Sequence, residues 1–349
     1  MKRLGFFTRL LDQVDAGERY RLAIEQIVWA EKFGFDSAWV AQHHFDESEG
    51  GLPSPLVFLA QVAARTSRIR LGTGIITLPL ENPVRVAEDT AVLDLLSGGR
   101  LEVGMGTGGT ASSFAAFGLD SAQRSEIFGR YLAIVLDAWR GRSLIGEDGP
   151  RLYPAAAHLP DRVWQATFSV AGGERAGRAG DGLMLSRTQP RSADRPNASL
   201  ADIQNPIIDA YLKALPTGCE PRILGSRSVF IADSREEARH YADIGLRRIA
   251  DRFAKLGQTM PGDSLDDLIA GMDVHLGTPD EVIASLQADA TLSRVTDLVF
   301  QVHSVDPPHP LILRSIELAA TEVAPALGWR GIAADTTGIP AAARRKRMS

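Results

Sequence analysis

Apolar and polar positions along the chain fall into two alternating textures. Short runs, several apolar on both faces, recur at Arg3 to Thr8, Asp36 to Ala41, Ile69 to Leu78, Leu101 to Gly104, Arg162 to Phe168, Gly182 to Ser186, Ile223 to Ile231 and Thr296 to Val302. LGFF, SAWVA and DLVFQV lack the in-and-out alternation of a half-solvated strand and predict strands covered on both sides. Stretches of helical period lie between them. Tyr20, Ile24, Ile27 and Val28 share one stripe of a helix from Gly17 to Phe33; Val84, Ala87, Ala91 and Leu95 share one in a helix opened by Pro83 and stopped at Gly98. Further helices are predicted from about Ser121 to Trp139, Gly173 to Ala179, Leu200 to Leu215, Ser234 to Leu256, Pro279 to Ala288 and Pro310 to Leu327. Eight strands alternating with helices, and no Pro/Ser-rich linker, predict a single α/β domain over residues 1–330: a (β/α)8 TIM barrel with long loops at its C-terminal mouth. Residues 331–349 read as an arm or disordered tail. A doubly wound sheet is the alternative, but the first strand runs into Thr8, Arg9 and Leu10 where that fold needs GxGxxG.

Composition narrows the chemistry. With Cys219 as the only cysteine there is no disulfide framework and no multi-cysteine metal site within one chain. No run approaches the ~20 apolar residues of a membrane span, no export signal is recognised, and a cytoplasmic protein is expected. A formal charge of -5 argues against a general nucleic-acid binder, and the one basic run, Arg344 to Arg347, sits in the tail.

Four segments carry candidate chemistry. In WVAQHHF, Trp39 to Phe45, two histidines leave the C-terminal end of a strand, where catalytic residues of a barrel stand. Adjacent side chains point to opposite faces, so only one of His43 and His44 would act as general acid or base; otherwise both merely satisfy hydrogen bonds. Gly72 and Gly74, in a strand, either admit a flat ligand or mark a bulge. The loop EVGMGTGGT, Glu102 to Thr110, is glycine-rich but lacks a P-loop lysine. In ATFSVAGGERAGRAGDG, Ala166 to Gly182, the amides of Ala171, Gly172 and Gly173 would meet the positive end of a helix dipole. That makes either a phosphate seat or an ordinary connection capped by Ser169. Phe6, Phe7, Trp39 and Phe45, with Arg9 and Arg187, are expected at the mouth.

Together these segments resemble the bacterial luciferase-like flavin monooxygenase superfamily over about residues 3 to 328. The resemblance rests on WVAQHHF, on RIRLGTGIITLPLENPVRVAEDTAVLDLLSGGRLEVGMGTG (Arg68 to Gly108) and on GDGLMLSR (Gly180 to Arg187). It implies a barrel binding FMN at its mouth, as reduced FMN delivered by a separate flavin reductase. The flavin would react with O2 to give a C4a-hydroperoxyflavin that oxygenates a small organic substrate; F420-dependent oxidation on the same barrel, or flavin binding without monooxygenase activity, are the alternatives. It also implies a homodimer. Carried over residue by residue, His43 becomes the catalytic histidine, and a non-prolyl cis bond from Gly74 to Ile75 supports the flavin ring. Ser169 with Ala171, Gly172 and Gly173 hold the phosphate, with Arg187 or Arg175 as charge partner, and Thr107 with Gly108 also bind the cofactor. Three positions depart from the pattern: Gln42 for a Glu, Thr107 for an Arg, and Ala171 with Gly172 for Glu and Ser.

Overall fold

The computed structural model describes residues 1–191, 194–195, 198–255 and 262–330. The tail at 331–349 and part of the loop at 257–277 lie outside the described residues. The strands are β1 (Arg3–Thr8), β2 (Ser37–Val40), β3 (Arg70–Thr73), β4 (Ile76–Thr77), β5 (Leu101–Gly106), β6 (Val163–Ala166), β7 (Gly182–Leu185), β8 (Ile223–Ile231), β9 (Val274–Gly277) and β10 (Asp297–Gln301). All pairings are parallel. β1, β2, β3, β5, β6, β7, β8 and β10 follow one another around a ring, and β10 bonds to both β8 and β1, which closes the barrel. The doubly wound alternative is thereby excluded.

The helices are α1 (Ala16–Lys32), α2 (Pro55–Ala63), α3 (Pro83–Ser97), α4 (Ala111–Ala116), α5 (Arg124–Trp139), α6 (Val170–Ala179), α7 (Leu200–Ala214), α8 (Arg235–Lys255), α9 (Leu265–Gly271), α10 (Pro279–Gln287) and α11 (His309–Leu318). α3 begins and ends where Pro83 and Gly98 predict: the Asn82 side chain accepts from the amides of Val84 and Arg85, and Gly98 takes φ +69. Among the described residues no helix is long and apolar enough to cross a membrane.

Four stretches differ from the sequence reading, one of them the short helix α4, which no pattern announces. The strand expected over Ile69 to Leu78 is two, β3 and β4, with the Gly74–Ile75 bond between them cis. No element is predicted between the helix ending near Leu256 and the one from Pro279, yet α9 and β9 lie there, and β9 extends the sheet past the barrel along the end of β8. α2 is an additional helix whose apolar residues leave no polar face to mark a stripe.

The barrel interior is filled by Trp39, Trp164, Met184, Leu224 and Val299. The two indoles meet edge to face with centroids 5.7 Å apart. Room for them comes from glycines on neighbouring strands: a Cβ on Gly72 would stand 2.1 Å from the Trp39 ring, and one on Gly182 2.3 Å from the Trp164 ring. Gly72 therefore accommodates a tryptophan rather than a ligand. Gly72→Ala should destabilise the fold by about 1–3 kcal/mol through overpacking, read as a lowered urea midpoint; an unchanged midpoint would show that the indole layer is not tightly packed.

Candidate active site

Above the indole layer, at the C-terminal ends of the strands, lies a cavity of about 720 Å³. Its wall includes Phe7 and Arg9 after β1, Gln42 and His43 after β2, Gly74 and Ile75 at the β3–β4 break, Thr107 and Gly108 after β5, Thr167 and Ser169 after β6, and Arg187 after β7. Six of the nine residues expected to touch a cofactor, Ser169 among them, thus share one space with the candidate catalytic histidine and Phe7; Ala171, Gly172 and Gly173 do not. Phe6 and Trp39 are instead buried in the core, and Phe45 is 75% exposed.

The histidine pair splits, in the irregular chain beyond the end of β2 at Val40. His43 lines the cavity, whereas the His44 ring packs edge to face on Phe117 at 5.0 Å. Arg9 Nη2 stands 3.2 Å from His43 Nε2. A guanidinium only donates, so Nε2 is the acceptor, and the neutral ring carries its proton on Nδ1. Nδ1 lies 3.7 Å from a Glu49 carboxylate oxygen. Burial pushes the His43 pKa below its usual 6.5, and Arg9 adds to that while Glu49 opposes it. His43 and the Arg252 guanidinium, 2.8 Å from Glu49, bring the Glu49 carboxyl down to about 2. The carboxylate missing at position 42 is thus supplied six residues beyond the histidine. Gln42 is itself structural: it accepts from the Thr77 amide at 2.7 Å and donates to Glu81 at 2.6 Å, tying β2 to β4.

The seat expected at the start of α6 is built differently. Ser169 Oγ accepts from the Gly172 amide at 3.1 Å, and the Ser169 carbonyl accepts from the Gly173 amide at 3.0 Å. Those two donors are consumed by the helix cap, and neither Gly172 nor Gly173 lines the cavity. Gly173 has another role, since a Cβ there would stand 2.6 Å from the Ile207 carbonyl of α7. What this end of the cavity presents are the hydroxyls of Thr107, Thr167 and Ser169 and the cations Arg124 and Arg175. Arg175 is aimed by Gln165, which accepts from its Nε at 2.8 Å and donates to Asp181 at 2.7 Å. Arg124, at the first turn of α5, carried no signal in the sequence. Arg187, after β7, lines the same cavity, and the charges acting on it are Arg9 after β1, Asp306 after β10 and Asp273 before β9.

A narrow shelf at Gly74–Ile75, a proton-accepting imidazole at one side and hydroxyls with cations at the other suit a flat ring with an anionic tail. Residues 4–296 match the family model described as luciferase-like monooxygenase. The chain belongs to the luciferase-like monooxygenase family. Its relatives include 4-hydroxyprotoasukamycin monooxygenase of Streptomyces nodosus subsp. asukaensis, 29% identical with both chains covered fully. An F420-dependent glucose-6-phosphate dehydrogenase of Kineococcus radiotolerans is 36% identical over 46% of this chain and 50% of its own. Among solved structures, the oxygenating constituent of 3,6-diketocamphane monooxygenase from Pseudomonas putida, in complex with FMN, superposes with a TM-score of 0.71 at 20% identity, covering 93% of this chain and 98% of that one. Luciferase-like proteins of this kind are oxidoreductases on a TIM barrel, and this chain has that barrel.

Proposed function

We propose that this luciferase-like protein is a two-component monooxygenase: it takes reduced FMN from a separate flavin reductase in the cytoplasm and uses it with O2 to oxygenate a small organic substrate. One observation carries the reading: the shelf at Gly74–Ile75, His43, and the hydroxyl-and-arginine end at Thr107, Ser169 and Arg175 open into one cavity, whose volume lies in the range of cofactor sites. Bound reduced flavin supplies the electrons that activate O2. The protein's own parts do the rest. Arg175, Arg124 and the hydroxyls of Thr107, Thr167 and Ser169 hold the phosphate; Gly74, Ile75 and Gly108 line the space for the ring, with Phe7 packed where a Gly74 Cβ would stand; His43 Nε2 takes up a proton released at the ring edge when Arg9 gives up its hydrogen bond to that nitrogen. The apolar Phe7, Met184 and Leu224 exclude water from the reacting face.

Titration with photoreduced FMN under argon tests this directly. Saturable binding at micromolar concentrations is expected, and no binding at tens of micromolar would remove the reading. The F420-dependent relatives favour a second reading, hydride transfer with F420 in the same cavity. Turnover that persists without O2 would decide for it.

The reading includes a homodimer. Val57 on α2 and Val92, Leu95 and Leu96 on α3 are exposed, and an apolar face of this kind is normally covered in solution. Replacing Leu95 and Leu96 together with Glu should convert a dimer to a monomer in sedimentation; a wild-type monomer would refute the assignment.

A further inference from the structure

Arginines ring both ends of the barrel, and the two ends treat them differently. At the N-terminal end, Arg3 meets Asp297 at 2.7 Å, Arg162 meets Glu102 at 3.3 Å, and Arg70 pairs with Glu102. At the mouth, Arg9 and Arg187 line the cavity and neither has a carboxylate partner. Arg187 is 7% exposed, its Nη1 is shut off from water without a hydrogen-bond acceptor, and among the described residues it forms no hydrogen bond or ion pair. Arg9 spends one nitrogen on His43, and its buried Nε is unpartnered. The nearby carboxylates are already engaged: Asp306 by His303 at 2.9 Å and Arg248 at 2.8 Å, Asp273 by Arg191 at 2.8 Å, and Glu49 by Arg252 at 2.8 Å.

A buried guanidinium without acceptors is costly, and the cost is relieved when an oxyanion arrives. Burial, aided by the Arg9 charge, brings the Arg187 pKa down to about 9. The flavin tail is not the natural partner, because Arg175 and Arg124 stand with the hydroxyls at the β5–β6 end, while Arg9 follows β1 beside His43. Phe7, Met184 and Leu224 give the same cavity an apolar wall.

We infer that Arg9 and Arg187 are a specificity site for the carboxylate of the substrate, so that the protein acts on a small organic acid whose hydrocarbon part lies along Phe7, Met184 and Leu224. This rests on the flavin reading of the cavity. Both guanidinium forks match a carboxylate, and planar bidentate pairing is what distinguishes Arg from Lys in such a role.

The probe is octanoate, with octan-1-ol as its neutral counterpart and inorganic phosphate as a bare anion, each measured by calorimetry on the full-length protein. Octanoate is expected to bind at least about tenfold tighter than octanol, and Arg187→Met to weaken octanoate at least about tenfold while leaving photoreduced FMN affinity within about threefold. Arg187→Met should also raise the melting temperature of the free protein, since it removes an unpaired buried charge; this readout needs no ligand. Equal affinity for octanol and octanoate overturns the inference, as does phosphate matching octanoate. If Arg187→Met instead loses FMN and keeps octanoate, the arginines serve the flavin, and the proposal fails while the monooxygenase reading stands. If the wild type binds octanoate but no flavin, the reverse holds.

Discussion

His43→Gln should lower oxygenase turnover by about 10²–10⁴-fold, the range for removing a general base, while reduced FMN still binds within a few-fold of wild type. The expectation follows from the tautomer: with the proton on Nδ1, the basic nitrogen of the cavity-lining His43 is Nε2, which takes up a proton when Arg9 releases its hydrogen bond there. Glutamine keeps the size and hydrogen-bonding capacity but does not take up a proton near neutral pH. The pH profile supplies an independent check. Because burial and Arg9 hold the His43 pKa below 6.5, wild-type turnover should be level above that pH and fall on the acid side, where the ring gains a proton and loses its acceptor. Arg9→Gln removes a positive neighbour, so the acid limb should move to higher pH. A profile that does not shift, or a His43→Gln variant with undiminished turnover, would take His43 out of the chemistry.

Arg227→Ala should cost about 3–5 kcal/mol of stability, the range for leaving a buried charge without its partner. Arg227, on β8, is completely buried. Its Nε lies 2.6 Å from Asp289, Nη2 lies 3.0 Å from Gln204, and Nη1 donates to the Ser226 carbonyl at 2.8 Å. Burial alone would raise the Asp289 carboxyl, and contact with Arg227 more than reverses this, leaving it below its usual range. Gln204 passes the constraint on by donating to the Ser186 carbonyl at 2.8 Å, directly before Arg187, so the variant should also weaken binding at the mouth. Urea unfolding of the single variant, beside Arg227→Met with Asp289→Leu, separates pairing from packing: the double variant should recover most of the loss. A single-variant loss under about 1 kcal/mol would mean that water reaches this pair as it reaches a surface one.

How much was legible in the sequence depended on whether a signal was local. The barrel strands announced themselves because a strand covered on both faces must be apolar throughout, and DLVFQV at β10 has no other reading. The ends of α3 were legible because Pro83 and Gly98 act through their own backbones. β9 was not, since the four residues Val274–Gly277 are too few for a pattern. α2 was hidden by its own richness: Pro55, Phe58, Leu59 and Val62 do form a buried stripe, but Leu56, Val57 and Ala60 blur it. At the site, His43 and His44 part company as expected, although both lie beyond the last residue of β2, Val40, where strand alternation no longer holds. The amides of Gly172 and Gly173 misled because Ser169 caps them, a competition that a glycine count does not reveal. Glu49, Arg124 and the isolation of Arg187 depend on which loops meet at the mouth, and that is a property of the closed barrel rather than of any segment.

The crossed indoles of Trp39 and Trp164 also govern traffic. They stopper the cylinder from below, so what reaches the His43 chamber arrives from the end where the strands finish. Two guests approaching from that end must queue: whichever sits deeper arrives first and departs last.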